Sequence, residues 1–372
     1  MGAECFITRR KFTDMIAMAP NFERLLKVLN LEQPDRVPLY EHLVDSAIME
    51  DILGRPAPAL HEGSRDSKKS YMRYLVDFFQ GMGFDYVPIE VGMKLFRINT
   101  EMSYRNEPLG RTSRSWVDNS RSTIANLEEF EEYPWPEPEA AVDYELLEVA
   151  RDVLPDNMKL VAGVGGGVQE HVLWLVGLRQ LSIELHREPA FVKRLFDKIG
   201  SLISSIDKVI AAMDHVGALK SGDDMGYKTA TLLSPKVLRE HAFPWQKRIA
   251  DIAHMNGKPF ILHSCGNLHE IIDDLIDIVG INAWHSFQDV ILPVSEAKKK
   301  YGGRVALLGG VDVDVLTRAS VSETIEYTWT ILKNCMPGGG YALGTGNSVT
   351  NYIRIENYKA MIDTGKKYGK YS

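Results

Sequence analysis

A histidine and a cysteine stand two residues apart where a short apolar segment ends, in the run His263-Ser264-Cys265-Gly266. Side chains two positions apart on a β-strand point to the same side, so the imidazole and the thiol share one face. Nitrogen and sulfur are ligands that Zn²⁺ takes in tetrahedral sites. The spacing therefore predicts a zinc site at His263 and Cys265. The alternative is a buried histidine that is hydrogen-bonded to the backbone beside a packed thiol.

Carboxylate and amide side chains follow other predicted strands. Asp223 and Asp224 come directly after an apolar strand. We expect one of these carboxylates to point inward as a metal ligand or general acid while the other caps the next segment. The alternative is a solvated pair in a loop. Asn347, which follows the last predicted strand, completes the candidate catalytic set.

A second group of side chains near the strand ends is predicted to bind substrate. Core packing is the default role for each aromatic residue, but together the aromatic rings suit a flat apolar ligand. The group consists of Tyr86, Glu90, Trp284, Phe287 and Gln288. Turn or cap roles are favoured over chemical ones for Gln288, as they are for Glu170 and Asp312.

These residues need a scaffold that brings many strand ends together. Short β-branched segments alternate with longer helical patterns, which predicts a parallel (β/α)₈ TIM barrel with its site at the carboxyl ends of the strands. A helix at Phe22–Leu29 precedes the barrel, and an insertion of about residues 92–156 separates strands 2 and 3. We therefore expect one decorated barrel domain over residues 1–372. The eight predicted strands are Val37–Tyr40, Tyr86–Ile89, Lys159–Val164, Ala218–Lys220, Pro259–His263, Ile281–Trp284, Val305–Leu308 and Tyr341–Leu343.

Composition excludes several other classes of protein. The 43 basic and 50 acidic residues give a net charge of −7, which argues against a nucleic-acid surface. No apolar run suits a membrane helix or a signal-peptide core, so we expect a cytoplasmic protein without membrane attachment. The three cysteines are too few for a disulfide framework. Cys5 lies near the N-terminus and Cys335 at the predicted opposite mouth of the barrel, so neither is a predicted ligand.

Longer segments around these residues resemble the uroporphyrinogen decarboxylase superfamily, over about residues 20–370. The resemblance rests on KPFILHSCGNLHEIIDDLIDIVGINAWHSFQD, with SGDDMGYKTATLLSP before it and GGVDVDVL, GGGYALGTGNS and ENYKAMIDTGKKYGKY after it. Within that superfamily, His-Ser-Cys-Gly is similar to the zinc motif of corrinoid-linked methyltransferases. The resemblance therefore implies bound Zn²⁺ and methyl transfer to a corrinoid.

Two segments depart from other branches of this superfamily. Porphyrinogen decarboxylases carry Arg-Gln-Ala-Gly after the first strand, where the arginine binds substrate carboxylates, whereas this chain continues as Leu39-Tyr40-Glu41-His42-Leu43. Methyltransferases that use coenzyme M carry a second zinc cysteine at the tip of the last strand, where this chain has Gly344-Thr345-Gly346-Asn347. The remaining resemblance is to methyltransferase I of anaerobic O-demethylases.

The resemblance implies transfer of a methyl group from a small methoxylated aromatic, a phenyl methyl ether, to the cobalt of a corrinoid. The departing phenolate needs a Lewis acid or a proton. Zinc with an oxygen ligand such as Asp224 or Glu90 would supply the first, and a protonated carboxyl in an apolar pocket the second.

The corrinoid is expected on a partner protein, because no histidine here lies two residues after an aspartate, as the cobalt-ligating motif Asp-x-His-x-x-Gly requires. The resemblance also implies a homodimer. The alternatives are a carboxy-lyase of the uroporphyrinogen decarboxylase type, a methyltransferase acting on a thiol or an amine, and a non-catalytic binding barrel.

Overall fold

The fold is built on a curved sheet of seven parallel strands. The structure, a computed structural model, describes residues 19–59, 63–96, 100–103, 114–117 and 122–371, so Cys5 lies outside the described residues. The strands are β1 Tyr86–Glu90, β2 Thr100–Ser103, β3 Arg114–Val117, β4 Lys159–Gly163, β5 Val216–Gly222, β6 Phe260–His263, β7 Ala283–His285, β8 Ala306–Leu308 and β9 Tyr341–Ala342. The order in the large sheet is β1-β4-β5-β6-β7-β8-β9, and every neighbouring pair is parallel. Seven of the eight predicted barrel strands are confirmed.

The first predicted strand, Val37–Tyr40, does not form a regular strand, and the prediction is wrong at this point. The segment still lies beside β9, through a parallel bridge between Leu39 and Leu343. The Tyr40 N–H donates to the Leu343 carbonyl at 2.8 Å, and the Leu343 N–H donates to the Pro38 carbonyl at 2.9 Å. Pro38 has no N–H to donate, so the hydrogen bonds to β9 cannot extend toward the N-terminal end of this segment.

Helices cover the outer face of the sheet, as parallel strands buried on both faces require. The helices are α1 Glu23–Leu29, α2 Ser46–Leu53, α3 Arg65–Met82, α4 Leu127–Glu132, α5 Glu145–Glu148, α6 Val168–Val176, α7 Leu178–Arg187, α8 Pro189–Ala211, α9 Pro235–Val237, α10 Phe243–Met255, α11 Ile272–Asp274, α12 Val294–Tyr301, α13 Val313–Arg318, α14 Val321–Cys335 and α15 Ile355–Tyr368. Helix α1 confirms the predicted helix before the barrel. No helix in the described ranges has both the length and the apolar character needed to cross a bilayer.

The chain between β1 and β4 contains the predicted insertion. Strands β2 and β3 form an antiparallel pair apart from the barrel sheet, with Thr100 opposite Val117. Helices α4 and α5 follow, and Phe130 and Leu147 bury their side chains. The carboxyl ends of the parallel strands remain together at one edge of the sheet, and this edge carries the residues considered next.

A buried carboxyl on α8 gives a testable pH dependence of stability. Asp207 is 1% exposed, its Oδ1 has no hydrogen-bond partner among the described residues, and burial raises its pKa to about 8. The unfolded chain ionises this group near its usual pKa of about 3.9. The neutral acid is therefore favoured by folding, and stability falls as pH rises from about 4 to about 8. We expect Asp207→Asn to raise the melting temperature by several degrees at pH 8.5 and by much less at pH 5.

Thermal unfolding followed by circular dichroism at the two pH values measures this difference. Asp251→Asn, which changes an exposed carboxylate on α10, is the control and should leave the pH dependence unchanged. Parallel pH curves for wild type and Asp207→Asn would contradict the prediction.

Candidate metal and substrate site

A thiol, an imidazole and a carboxylate meet just beyond the ends of β5 and β6. His263 ends β6 and is buried, and its Nε2 lies 3.3 Å from the Cys265 Sγ and 3.5 Å from the Asp224 Oδ1. The Cys265 N–H donates to the same Asp224 oxygen at 2.8 Å. Zinc bonds of about 2.0–2.3 Å place tetrahedral ligand atoms about 3.3–3.6 Å apart, so the two distances from Nε2 fit one ion. The three residues are a suitable donor set for Zn²⁺.

The adjacent aspartates turn in different directions. The Asp223 carboxylate is fully buried and accepts hydrogen bonds from the Gln169 and Glu170 N–H groups and from the Gln246 Nε2, at 3.2, 2.9 and 2.7 Å. It thus satisfies the first turn of α6, and burial raises its pKa to about 6. Asp224 is the carboxylate that faces the imidazole and thiol. The structure therefore makes Asp223 a cap of α6, which precedes it in the chain and is not the next segment expected from the sequence, and leaves Asp224 as the candidate ligand.

The neighbouring groups of the cluster shift the pKa values of His263 and Asp224 in opposite directions. Burial acts to lower the pKa of His263, but the neighbouring Cys265 and Asp224 overcome it and raise that pKa well above its usual range. Burial acts to raise the pKa of Asp224, and its bonds with His263 and Cys265 hold that pKa below the usual range. In the metal-free protein the imidazole is therefore a cation beside the Asp224 carboxylate, and a divalent cation would replace its proton.

Two histidines that sequence reasoning missed surround His263. His285 ends β7 opposite His263, and their Nδ1 atoms are 2.6 Å apart. The His42 ring stacks on His263 with centroids 4.2 Å apart and planes 17° apart. These three histidines form a second group of close ligand atoms. It fits one ion less well, because parallel stacked rings direct their in-plane lone pairs side by side and 2.6 Å is too short for two ligand atoms on one ion.

The signal for these histidines was present in the sequence. His285-Ser286 follows its strand as His263-Ser264 follows the preceding one, so matching positions on neighbouring parallel strands would have identified His285. Glu41 and His42 likewise come directly after the irregular first segment, at its carboxyl end.

A buried ion pair lies beneath the cluster. The Lys220 Nζ is 3.0 Å from the Glu90 Oε1 and donates to the His42 carbonyl at 2.8 Å, and the His42 Nε2 is 3.2 Å from the same Glu90 oxygen. Burial acts to raise the pKa of Glu90, but the Lys220 ammonium and His42 hold that pKa well below its usual range. Burial lowers the pKa of His42 to about 3, with Lys220 adding to the effect, so the His42 ring is neutral.

Removing the lysine from this pair should destabilise the barrel. Lys220→Met leaves the largely buried Glu90 carboxylate without its cation, at an expected cost of about 3–5 kcal/mol in the free energy of unfolding. Urea unfolding of the purified variant measures this cost. The double variant Lys220→Met/Glu90→Gln removes the stranded charge and should recover most of the loss. A single variant as stable as wild type would contradict the prediction.

The cluster opens into a cavity of about 640 Å³. Among the described residues that line this cavity, three are carboxylic acids and none is Arg or Lys. Burial raises the pKa of Glu170 well above its usual range, and the nearby Asp224 and Asp223 carboxylates add to this rise. The Asn347 Nδ2 donates to the Cys265 Sγ at 3.0 Å. The polar and aromatic lining residues are His42, Glu90, Glu170, Trp174, Asp224, His263, Cys265, Asn347 and Ser348.

The structure separates the predicted substrate-binding residues. Glu90 lines the cavity, whereas Tyr86 is fully buried, its hydroxyl donating to the Glu41 carbonyl at 2.7 Å. Trp284 and Phe287 pack against each other, with ring centroids 4.7 Å apart, and are almost fully buried. Tyr86 and Trp284 therefore take the packing role that was their default.

An open groove of about 1020 Å³ adjoins the cavity and includes Phe287 and Gln288 in its lining. Asn347 and Ser348 line both the groove and the cavity. Asp312, also in the groove, accepts from the Asp289 and Asp314 N–H groups at 2.9 and 2.8 Å, which is the turn and cap role favoured from the sequence.

Comparisons with known proteins agree with this architecture. The uroporphyrinogen decarboxylase (URO-D) family model matches residues 99–368. The uroporphyrinogen decarboxylase of Anaeromyxobacter sp. (strain Fw109-5) is 26% identical over 246 residues, covering 61% of this chain and 64% of that protein. That of Chromohalobacter salexigens is 25% identical over 260 residues, covering 65% and 69%. The chain thus spans slightly less than two thirds of the Anaeromyxobacter relative's length.

A solved structure shares the whole fold. A methyltransferase from Methanosarcina mazei superposes with a TM-score of 0.71 at 16% identity, covering 93% of this chain and 98% of that one. At this identity the likeness establishes a common architecture. The family match extends over well more than half of the sequence and includes β4 to β9 with both candidate ligands of the His-Ser-Cys-Gly motif. The chain therefore belongs to the uroporphyrinogen decarboxylase (URO-D) family.

Proposed function

We propose that this protein is a metal-dependent methyltransferase that moves a methyl group from a small methoxylated aromatic to the cobalt of a corrinoid carried by a partner protein. The observation that carries the proposal is the convergence of Asp224, His263 and Cys265 at the edge of an acid-lined cavity. The shared fold with a methyltransferase supports it. The homodimer and the cytoplasmic location remain predictions.

The reaction breaks the bond between the methyl carbon and the ether oxygen. The methyl group goes to cobalt(I), the bond electrons stay on the oxygen, and the phenolate leaves as a phenol after taking one proton. Zn²⁺ held by Asp224, His263 and Cys265 would supply Lewis-acid stabilisation of the leaving oxygen.

The chain's own residues supply the proton and the surroundings of the thiolate. Glu170 lines the cavity, and its raised pKa keeps it protonated at neutral pH, so we assign it as the general acid. Asn347 donates a hydrogen bond to the Cys265 sulfur, which stabilises the thiolate form. Glu90, held ionised by Lys220, is available to accept a hydrogen bond from a ring hydroxyl of the substrate.

A carboxy-lyase is the alternative that the family name favours. Decarboxylation of a polycarboxylate needs cationic groups that bind the carboxylates. The described residues that line the cavity include Glu90, Glu170 and Asp224 and no Arg or Lys, and the nearby Lys220 is paired with Glu90. This charge distribution favours methyl transfer. A methylated thiol or amine would transfer its methyl group to the same corrinoid cobalt. The assay below distinguishes these donors from ethers.

The test combines metal analysis with a methyl-transfer assay. The purified protein is expected to contain about one zinc per chain and to convert cob(I)alamin to methylcobalamin with at least one methoxyphenol of a panel. Methylamines, methylthiols and uroporphyrinogen are assayed in parallel, the last by carbon dioxide release. Methyl transfer from an amine or thiol alone would overturn the ether assignment. Decarboxylation without methyl transfer would establish the lyase instead.

A further inference from the structure

We propose that His285 is a positioning residue that fixes the tautomer and ring orientation of His263, so that the His263 Nε2 is the atom presented to the metal. The proposal rests on the metal site of the proposed function and assigns its supporting residue. His285 does not itself line the cavity, and its side-chain contacts that the structure shows do not include Asp224 or Cys265; it acts through His263.

The hydrogen-bond chain determines where each proton lies. The His285 Nε2 is 3.1 Å from the Thr345 carbonyl oxygen. A carbonyl oxygen only accepts, so the Nε2 must carry the proton and donate it. The Nδ1 of a neutral His285 is then a bare acceptor. It lies 2.6 Å from the His263 Nδ1, which must therefore be the protonated donor. The His263 Nε2 keeps its lone pair for a metal ion.

The Thr345 carbonyl, which ends this series of hydrogen bonds, is held in place by further buried groups. The Thr345 N–H and Oγ1–H both donate to the Glu41 carboxylate, at 3.2 and 2.5 Å. The Glu41 N–H in turn donates to the Tyr86 hydroxyl at 2.7 Å. The direction of the Thr345 carbonyl, and with it the His285 tautomer, is therefore set by groups buried in the barrel.

The fold also leaves room for the hydrogen bond between His285 and the Thr345 carbonyl. Gly309 has a φ of +83°, and a Cβ on it would lie 2.2 Å from the Thr345 oxygen and 2.9 Å from the His285 Cδ2. Only glycine leaves the carbonyl and the imidazole free to approach each other at this place. His285 is 0% exposed, and the Tyr40 ring packs edge-on against it with centroids 5.4 Å apart.

The experiment measures zinc affinity in variants that differ at His285. Partners that orient a ligating histidine typically contribute 10–100-fold in metal affinity. His285→Leu removes both hydrogen bonds and should weaken zinc binding about 10–100-fold. His285→Gln retains an acceptor oxygen and a donor N–H₂, so it should stay within about threefold of wild type. Competition with a chromogenic chelator, on metal-free protein supplied with zinc alone, gives the dissociation constants.

The matched control is His215→Leu. His215 is also buried and hydrogen-bonded to one carbonyl, that of Leu147 at 2.9 Å, but it precedes β5 at the opposite end of the sheet. It should lose stability without losing zinc affinity. Thermal unfolding of the metal-free variants shows whether each has folded.

A measurement on the wild type keeps the proposal testable if His285→Leu does not fold. Nitrogen-15 NMR of the zinc-loaded protein should show the His263 Nδ1 and the His285 Nε2 protonated, with zinc on the His263 Nε2. Zinc on the His263 Nδ1, or a proton on the His285 Nδ1, would overturn the proposal.

The outcomes also separate this inference from the proposed function. If the wild type binds no zinc, both fail. If the wild type binds zinc and Cys265→Ala does not, while folded His285→Leu binds it as tightly as wild type, only the role of His285 is wrong.

Discussion

Cys265→Ala is expected to lower the rate of methyl transfer by about a thousandfold and to reduce bound zinc to background. The thiolate is one of three candidate ligands that converge within 4.8 Å, and its loss leaves only Asp224 and His263 to hold the ion. Lewis-acid stabilisation contributes several kcal/mol to such a transition state, and about 4 kcal/mol corresponds to about a thousandfold in rate. Single-turnover transfer to cob(I)alamin and elemental analysis measure the two effects.

The other described cysteine provides the control. Cys335 ends α14 ahead of β9, is fully buried and has its pKa raised by burial to about 12, so it is a packed neutral thiol. Cys335→Ala should reduce stability slightly and retain both zinc and activity. A Cys265→Ala protein that still transfers methyl groups at the wild-type rate would move the chemistry away from the metal cluster and onto the acidic residues.

Glu170→Gln is expected to lower the rate with an unactivated methoxyarene by about 10²–10⁴-fold, the usual contribution of a general acid. The wild-type rate should fall toward alkaline pH, because burial and the Asp224 and Asp223 carboxylates raise the Glu170 pKa and the acid works only while protonated. The glutamine variant should lose this alkaline decrease. Initial rates measured across pH 6 to 10 give both results.

The choice of substrate sharpens the test. A nitro-substituted methoxyarene releases a phenolate that is stable without a proton, so Glu170→Gln should slow its reaction far less. Glu184→Gln, which changes a buried carboxylate on α7 that hydrogen-bonds to Gln180, is the matched control and should leave both rates unchanged. An equal loss for activated and unactivated substrates would show that Glu170 shapes the site without donating a proton.

The sequence predicts most of the barrel because its signals are local. Apolar strands, helix starts and the alternation between them are each encoded within a few residues, and seven of the eight strands appear where they are predicted. The first fails because pairing along it depends on Pro38, whose missing N–H matters only once β9 lies beside it. The same locality predicts that His263 and Cys265 share a face and that Asp223 and Asp224 take different roles.

The remaining parts of the site depend on contacts between distant segments. Glu170 follows β4 and faces Asp224 after β5, and neither position alone indicates that one stays protonated while the other ionises. Trp284 is an aromatic residue near a strand end, which suits substrate binding. Only its packing against Phe287 and Tyr301 shows that it belongs to the core. His285 needs the register of β6 against β7 before its contact with His263 becomes evident.

The order of the strands gives the site a modular design. Asp224, His263, Cys265 and the supporting His285 all come from the consecutive strands β5, β6 and β7 and the turns after them, one continuous stretch of chain. Glu90 comes from the end of β1 and Glu170 from the first turn of α6, which follows β4, and both line the cavity. Exchange of the loops after β1 and β4 would therefore change one part of the cavity lining while Asp224, His263, Cys265 and His285 stay in place.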